Sequence, residues 1–335
     1  MTERSINMEM ANLICRFGEN VLLDFAEDIV IPSFLDSSLV RKYDQTSYFF
    51  YDVEFVTFEG DDEDVLGVVG RLIKDTTLER EQIFTAKEGL VQNPDSIRSS
   101  PSSLFMLILN NHRLLYVRET PYAPTKEMFR ATLLKFIQEK RKQLINKEYS
   151  KGLQKSEKKV TKKALFEKIP APTLELVPLT SGERVEAFVR RYETLKYMEI
   201  LFPDRNDETD NDPFFEELQR RKDYLGSKRS SIEHRNSEGL DKSKVVSEIG
   251  EATVHGNQKV KLSGVDSNGD QLRGNNEEFE LRKPLNDFKK TPKEAASQLY
   301  QAFQSLIEEG VIRVQPSSDD VKSTISRIAG KVKNE

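Results

Sequence analysis

The chain has 335 residues, 37% hydrophobic and 32% charged, with a formal net charge of −5. This length suits two domains or one large one with insertions. Its single cysteine, Cys15, excludes an internal disulfide framework and a Cys-rich zinc site, and no apolar run approaches the roughly 20 residues of a membrane span.

The opening MTERSINMEM has no basic segment leading into an apolar core, so no secretory signal is expected and the chain reads as cytoplasmic. Thr2–Leu23 reads as a first strand pair or a strand and turn. In Ser47–Phe58, Tyr51, Val53 and Phe55 alternate with Asp52 and Glu54, the pattern of a half-buried strand. The acidic turn Glu59–Asp64 joins it to Val65–Ile73 as a hairpin. Gly67 and Gly70 in that second strand suggest a bulge or a close backbone approach; no Gly-Lys-Ser/Thr follows to make a phosphate loop. Leu104–Leu109 and Arg113–Arg118 flank Asn110-Asn111-His112 as a further hairpin.

Pro121 and Pro124 break the sheet, and Thr125 can cap a helix with Glu127 in its first turn. Phe129, Leu133, Phe136, Ile137, Leu144 and Ile145 give that helix one apolar stripe, predicting a helix over 125–146. Lys147–Lys163 then reads as a polar linker. Leu174–Leu179, a Ser181-capped helix to Arg191 and Tyr192–Phe202 are expected to form a β-α-β unit. Pro213–Tyr224 reads as a short helix and Gly226–Gly239 as a mobile segment. Val245–Ser263 and Leu272–Lys283 read as two strands joined by a turn at Asn268-Gly269. Thr291-Pro292 opens a helix to about Glu309, and Asp319–Lys331 a last one.

These elements predict an α+β fold with largely antiparallel sheets and packed helices in two lobes. Residues 1–150 form the first domain, 151–172 a basic linker and 173–335 the second, with a mobile polar insertion at 204–245.

Catalytic signatures are sparse. No two of His112, His234 and His255 have helical zinc spacing, and each reads as a turn or surface residue. Asp266-x-Asn268-x-Asp270 resembles half a calcium loop, but Gln271 stands where the loop needs Gly, which favours a plain turn. The nuclease-like triplet Glu157-Lys158-Lys159 falls in the polar linker, while Glu175, Glu193, Glu278 and Glu280 lie on strands without a following lysine at the needed spacing. Ser102, Ser181 and Cys15 lack a nucleophile context. No catalytic residue, metal or cofactor is expected.

Charge is strongly segregated. Gln138–Lys168 holds ten Lys and one Arg against four Glu, a net +7, whereas Glu59–Asp64 and Asp204–Asp212 are acidic. A second, weaker basic cluster holds Arg220, Arg221, Lys222, Lys228, Arg229 and Arg235. Lys140, Arg141, Lys142, Lys155, Lys158, Lys159, Lys162 and Lys163 in the basic window are the candidate phosphate contacts, with Arg220, Arg221 and Lys222 as a second patch. Phe136, Tyr149 and Phe166 are the nearest rings, too few for a stacking platform, so backbone contact to double-stranded DNA is expected rather than base reading.

Across roughly residues 100–310 stand, in order, a strand of the type Leu104–Leu109, Tyr116-Val117-Arg118-Glu119-Thr120, Ala123-Pro124-Thr125, Leu176-Val177-Pro178-Leu179, Lys196–Leu201, Gly269-Asp270-Gln271-Leu272, Pro284-Leu285-Asn286 and the helix from Thr291. The order of these segments resembles the RexA-like phage-exclusion family of lambdoid phages. The resemblance implies an abortive-infection type defence protein that forms a homodimer, binds DNA with little sequence preference and works beside a separate membrane or helicase partner. This chain departs from the pattern near 140–165 and 204–245, and the resemblance supplies no catalytic residue. A metal-dependent nuclease and a non-enzymatic protein-interaction scaffold are the alternatives.

Overall fold

The computed structural model describes residues 6–60, 63–154, 161–206, 213–253 and 256–332. From the N-terminus, β1 (Ile6–Phe17) and the short β2 (Asn20–Val21) lead through a 3₁₀ turn (Leu22–Phe25) and a π-helical turn (Ala26–Val30) into α1 (Ile31–Leu35). Then come β3 (Arg41–Tyr43), β4 (Thr46–Phe58), β5 (Val65–Thr85), β6 (Gly89–Ser99), β7 (Ser102–Ile108) and β8 (Arg113–Arg118). Next are α2 (Lys126–Gln154), α3 (Lys162–Lys168), β9 (Pro172–Pro178), α4 (Gly182–Val189), β10 (Tyr192–Phe202), α5 (Pro213–Tyr224) and β11 (Ser230–Arg235). The chain continues through α6 (Lys242–Thr253), β12 (Lys259–Asp266), β13 (Gln271–Asn275), β14 (Arg282–Leu285), α7 (Pro292–Glu308) and α8 (Asp319–Val332). The fold is α+β, with two antiparallel sheets.

The first sheet runs β14-β1-β8-β7-β5-β4-β3, with β9 and β14 sharing successive parts of β1. Both of its faces are covered. On one, Phe34 of α1 and Phe129 and Phe136 of α2 pack on Phe50 and Phe105, and Val321, Ile325 and Ile328 of α8 join the same cluster. On the other, Ala295, Leu299, Phe303 and Leu306 of α7 pack on Met8, Val69, Met106 and Leu115. The central strands β7 and β8 are therefore apolar on both sides, as their sequence shows.

Several expected elements hold. Thr125 caps α2, its Oγ1 accepting from the Met128 amide at 3.3 Å, and Ser181 caps α4 by accepting from the Arg184 amide. The β4–β5 and β7–β8 hairpins form, and His112 occupies the second turn with φ of 56°, buried rather than at the surface.

The alternation of β4 is different. A bulge between Tyr51 and Glu54, with Asp52 at φ 54°, shifts the facing by one residue. Val53 and Phe55 thereby join the face of Tyr48 and Phe50, and Tyr51 is left exposed. Gly70 lies against this bulge: a Cβ there would stand 2.8 Å from Val53 Cγ2, which is the close approach the glycine permits.

The second half departs further from expectation. The helix expected to end near 146 continues to 154, so part of the linker is helical and α3 and the start of β9 occupy more of it. β9 pairs with β1 in the first sheet while β10 belongs to the second, so the expected β-α-β unit is absent. Val245–Thr253 lies in α6, not in a strand, because Val245, Ile249 and Ala252 at helical spacing all reach the core. The segment expected to be mobile, 226–239, holds edge strand β11, and Leu272–Lys283 divides between β13 and β14 in different sheets. The lobe division moves accordingly. The second sheet, β11-β10-β12-β13 with α4, α5 and α6, spans roughly the middle of the second half, and the chain then returns to the first sheet through β14, α7 and α8.

A polar seam joins the two sheets. Asn206 Nδ2 donates to the Leu13 carbonyl at 3.0 Å, Asn12 Nδ2 donates to Asn257 Oδ1 at 3.0 Å, and Thr180 and Thr253 share a hydroxyl bond of 2.6 Å. Each buried amide is satisfied by a specific partner, which fixes the docking geometry more narrowly than apolar contact would.

Candidate nucleic-acid interface

Of the cations singled out in the sequence, several are tied into the fold. Lys155, Lys158 and Lys159, with the Glu157 triplet, lie outside the described residues, as does His255. Lys140, mostly buried, pairs with Asp36 at 2.5 Å, and its hydrogen bond together with those of Ser38 holds the Asp36 carboxyl down at about 2. Arg141 donates to the Ile169 and Phe166 carbonyls at 2.7 and 3.2 Å and lies over the Phe166 ring, fastening α3 to α2. Lys142 is exposed beside Glu139 at 3.6 Å; Lys162 is exposed over the Tyr149 ring; Lys163 is exposed on α3. On α5, Arg220 pairs with Glu217 and Arg221 is exposed. Lys222 is fully buried, donating to Asp204 at 2.7 Å and to the Pro203 carbonyl. Lys140, Arg141 and Lys222 are thus committed to holding the fold.

A different set of cations does share a surface. In the second sheet Met198, Ile200 and Phe202 of β10 and Val260 and Leu262 of β12 turn inward onto α4, α5 and α6. Period-two geometry then turns Tyr197, Glu199 and Leu201, and Lys259, Lys261 and Ser263, to the opposite face. Register sets Arg235 beside Tyr197 and Arg273 beside Ser263. Among the described residues that face carries no helix of its own, and it opens into two clefts. One, of about 620 Å³, reaches across to α2 and β9 and includes Arg130, Lys228, Arg229, Lys259 and Lys261. The other, of about 700 Å³, includes Lys196, Tyr197, Arg235 and Arg273. Among the described residues the two clefts are lined by eight cations against three carboxylates, Glu127, Glu175 and Glu277.

Glu199 is the electrostatic hub of this face. It is nearly buried, which opposes ionisation, but hydrogen bonds from Lys261 and Ser231 and the Lys261 charge outweigh that and hold its carboxyl below the usual range. Lys261 approaches it at 3.0 Å and Arg229 at 3.7 Å. Lys259 pairs with Glu175 across the seam, and Arg235 pairs with Glu233 at 2.5 Å while covering the Tyr197 ring at 5.0 Å. Lys261, Arg229, Lys259 and Arg235 are held by these carboxylates and Arg130 by Glu127; with Glu199 and Glu233 counted, the face still has eight cations against five carboxylates among the described residues.

Clustering along the sequence reaches only Lys228, Arg229 and Arg235 of this face, beside Arg220, Arg221 and Lys222, because the other cations lie on α2, β10, β12 and β13. The signal was present as alternation: Lys259-Val260-Lys261-Leu262-Ser263 places both lysines on the side opposite the apolar residues. Reading Val245–Ser263 as one strand hid it.

The acidic triads that metal chemistry requires are not assembled: among the described residues, no three His, Cys, Asp or Glu side chains are grouped to hold an ion. Asp266 instead accepts the Asn268 and Asp270 amides as an ordinary turn. Among the described residues no helix is long and apolar enough to cross a membrane. No protein-family model matches the chain, and no curated protein matches it.

Proposed function

We propose that the chain binds double-stranded DNA through its phosphate backbone, with little sequence preference, on the open face of the second sheet. One observation carries the reading: the excess of cations lining two adjoining clefts on a face that no helix of that sheet covers. Outward positions along a strand recur about every 6.8 Å and neighbouring strands about every 4.8 Å, so the cations form a lattice that meets successive phosphates. The rings lining the clefts are Phe202, buried in the core, and Tyr197, covered by Arg235; stacked bases have no platform there, which supports backbone contact over single-strand reading. The exposed Lys142, Lys162, Lys163 and Arg221 are secondary contributors in this proposal. A role in phage exclusion, beside a membrane or helicase partner, rests on the segment resemblance alone, and plaque counts on cells with and without the gene test it.

Gel retardation of unrelated duplexes, with EDTA and with magnesium, tests the binding itself. Retardation of every duplex, weakened in the Arg235→Ala/Lys261→Ala/Arg273→Ala variant, is the expected result. Strand cleavage in magnesium would instead support a nuclease, and absence of retardation at low salt would support a protein-interaction scaffold.

A further inference from the structure

Beyond Asp75, β5 leaves the first sheet. Among the described residues, 76–85 pair only with β6, and β6 pairs with no other strand. The result is a two-stranded arm about 30 Å long. Such ribbons are marginal in water on their own, yet this one exposes large apolar side chains. Leu78, Phe84, Leu90 and Ile97 are 51, 74, 68 and 63% exposed.

Those four share a face. Leu78 stands opposite Ile97 and Phe84 opposite Leu90, and the additional residue that β6 carries between Asp95 and Gln92 keeps both pairs on the same side. From root to tip the face reads Leu78/Ile97, Arg80/Asp95, Gln82/Gln92, Phe84/Leu90. Arg80 and Asp95 neutralise each other at 3.0 Å, so the face carries no net charge. The order apolar, polar, polar, apolar is the same read from either end.

We propose that this face is a dimerisation surface, occupied by the same arm of a second copy. The two arms lie antiparallel about a two-fold axis between the Arg80 and Gln82 rows. Leu78 of each copy then meets Phe84 of the other, and Ile97 meets Leu90. The arrangement is isologous and closed, and it keeps the two bodies at opposite ends of the paired arms. The charge of the arm argues against a polyanion as occupant: residues 76–99 hold three cations and four carboxylates. A ribbon face of this size falls below the roughly 800 Å² per partner of a standard interface, so the association is expected in the micromolar range.

Sedimentation of the full chain without nucleic acid tests this independently of the DNA reading. The wild type should rise from monomer to dimer mass across the micromolar range, and Phe84→Ser/Leu90→Ser should stay monomeric with an unchanged circular dichroism spectrum. Leu78→Cys mixed with Phe84→Cys should form a disulfide-linked dimer under oxidation, while each alone should not; the native Cys15 is buried and does not compete. A wild type that stays monomeric, or a double variant that dimerises like the wild type, would overturn the proposal.

Discussion

Glu199 sets how much of the positive face is free to meet a polyanion. It is ionised at neutral pH because its hydrogen bonds and the Lys261 charge outweigh the burial that opposes ionisation. Glu199→Gln keeps an acceptor for Lys261 but removes the charge. Duplex binding by this variant should be tighter, with a salt slope steeper by about 1, as read by fluorescence anisotropy. Weaker binding would show instead that Glu199 contributes chiefly by positioning Lys261. Asp36 gives a prediction of a different kind. Its carboxyl is held at about 2, so the Lys140 contact stabilises the fold fully above the ordinary carboxylate range and loses that effect progressively as pH falls from there through about 2. Asp36→Asn should therefore lower the urea midpoint at pH 7, and the gap to wild type should close as pH falls below about 4. A gap that stays constant over that range would separate the stabilisation from the Asp36 charge.

The elements differ in how much of them the sequence makes readable. β7, β8 and α7 are legible because each is fixed by local pattern: an apolar run bounded by turn residues, or a stripe at helical spacing begun by Thr291-Pro292. β4 is legible in extent but not in facing, since the bulge at Asp52 is set by its pairing with β5 and the space Gly70 leaves. α6 reads as a strand from sequence because Val245 and Val246 favour one locally, while the stripe Val245, Ile249, Ala252 only gains meaning against the second sheet. The same tertiary dependence hides the candidate site, whose cations are far apart in sequence and meet through strand register. Packing at this level also carries a stability prediction. Phe129 is fully buried among Phe34, Phe50, Phe105 and Tyr116, so Phe129→Ala should cost about 3–5 kcal/mol in chemical denaturation. A cost near zero would mean the cluster closes over the space. The second sheet has its own tight point at Gly264, where a Cβ would stand 2.2 Å from the Thr194 carbonyl oxygen beside the β10–β12 bulge.

At the scale of the molecule, the chain builds one sheet, leaves it to build a second, and returns to finish the first. The excursion hangs on the amide seam at Asn12, Asn206 and Asn257 and presents its uncovered face next to α2 and β9. The net charge of −5 does not report this face, because the local field is set by which side chains strand register brings together. Affinity for DNA should accordingly depend on the local face and fall steeply with salt, whatever the overall charge. The most direct measurement is the salt dependence of duplex binding for the wild type and for Arg235→Ala/Lys261→Ala/Arg273→Ala, by anisotropy between about 50 and about 200 mM salt. The predicted result is a log–log slope that flattens by roughly 2 to 3 in the variant, with equal loss on unrelated sequences. A variant that binds with the wild-type affinity and slope would contradict the assignment of the site to this face.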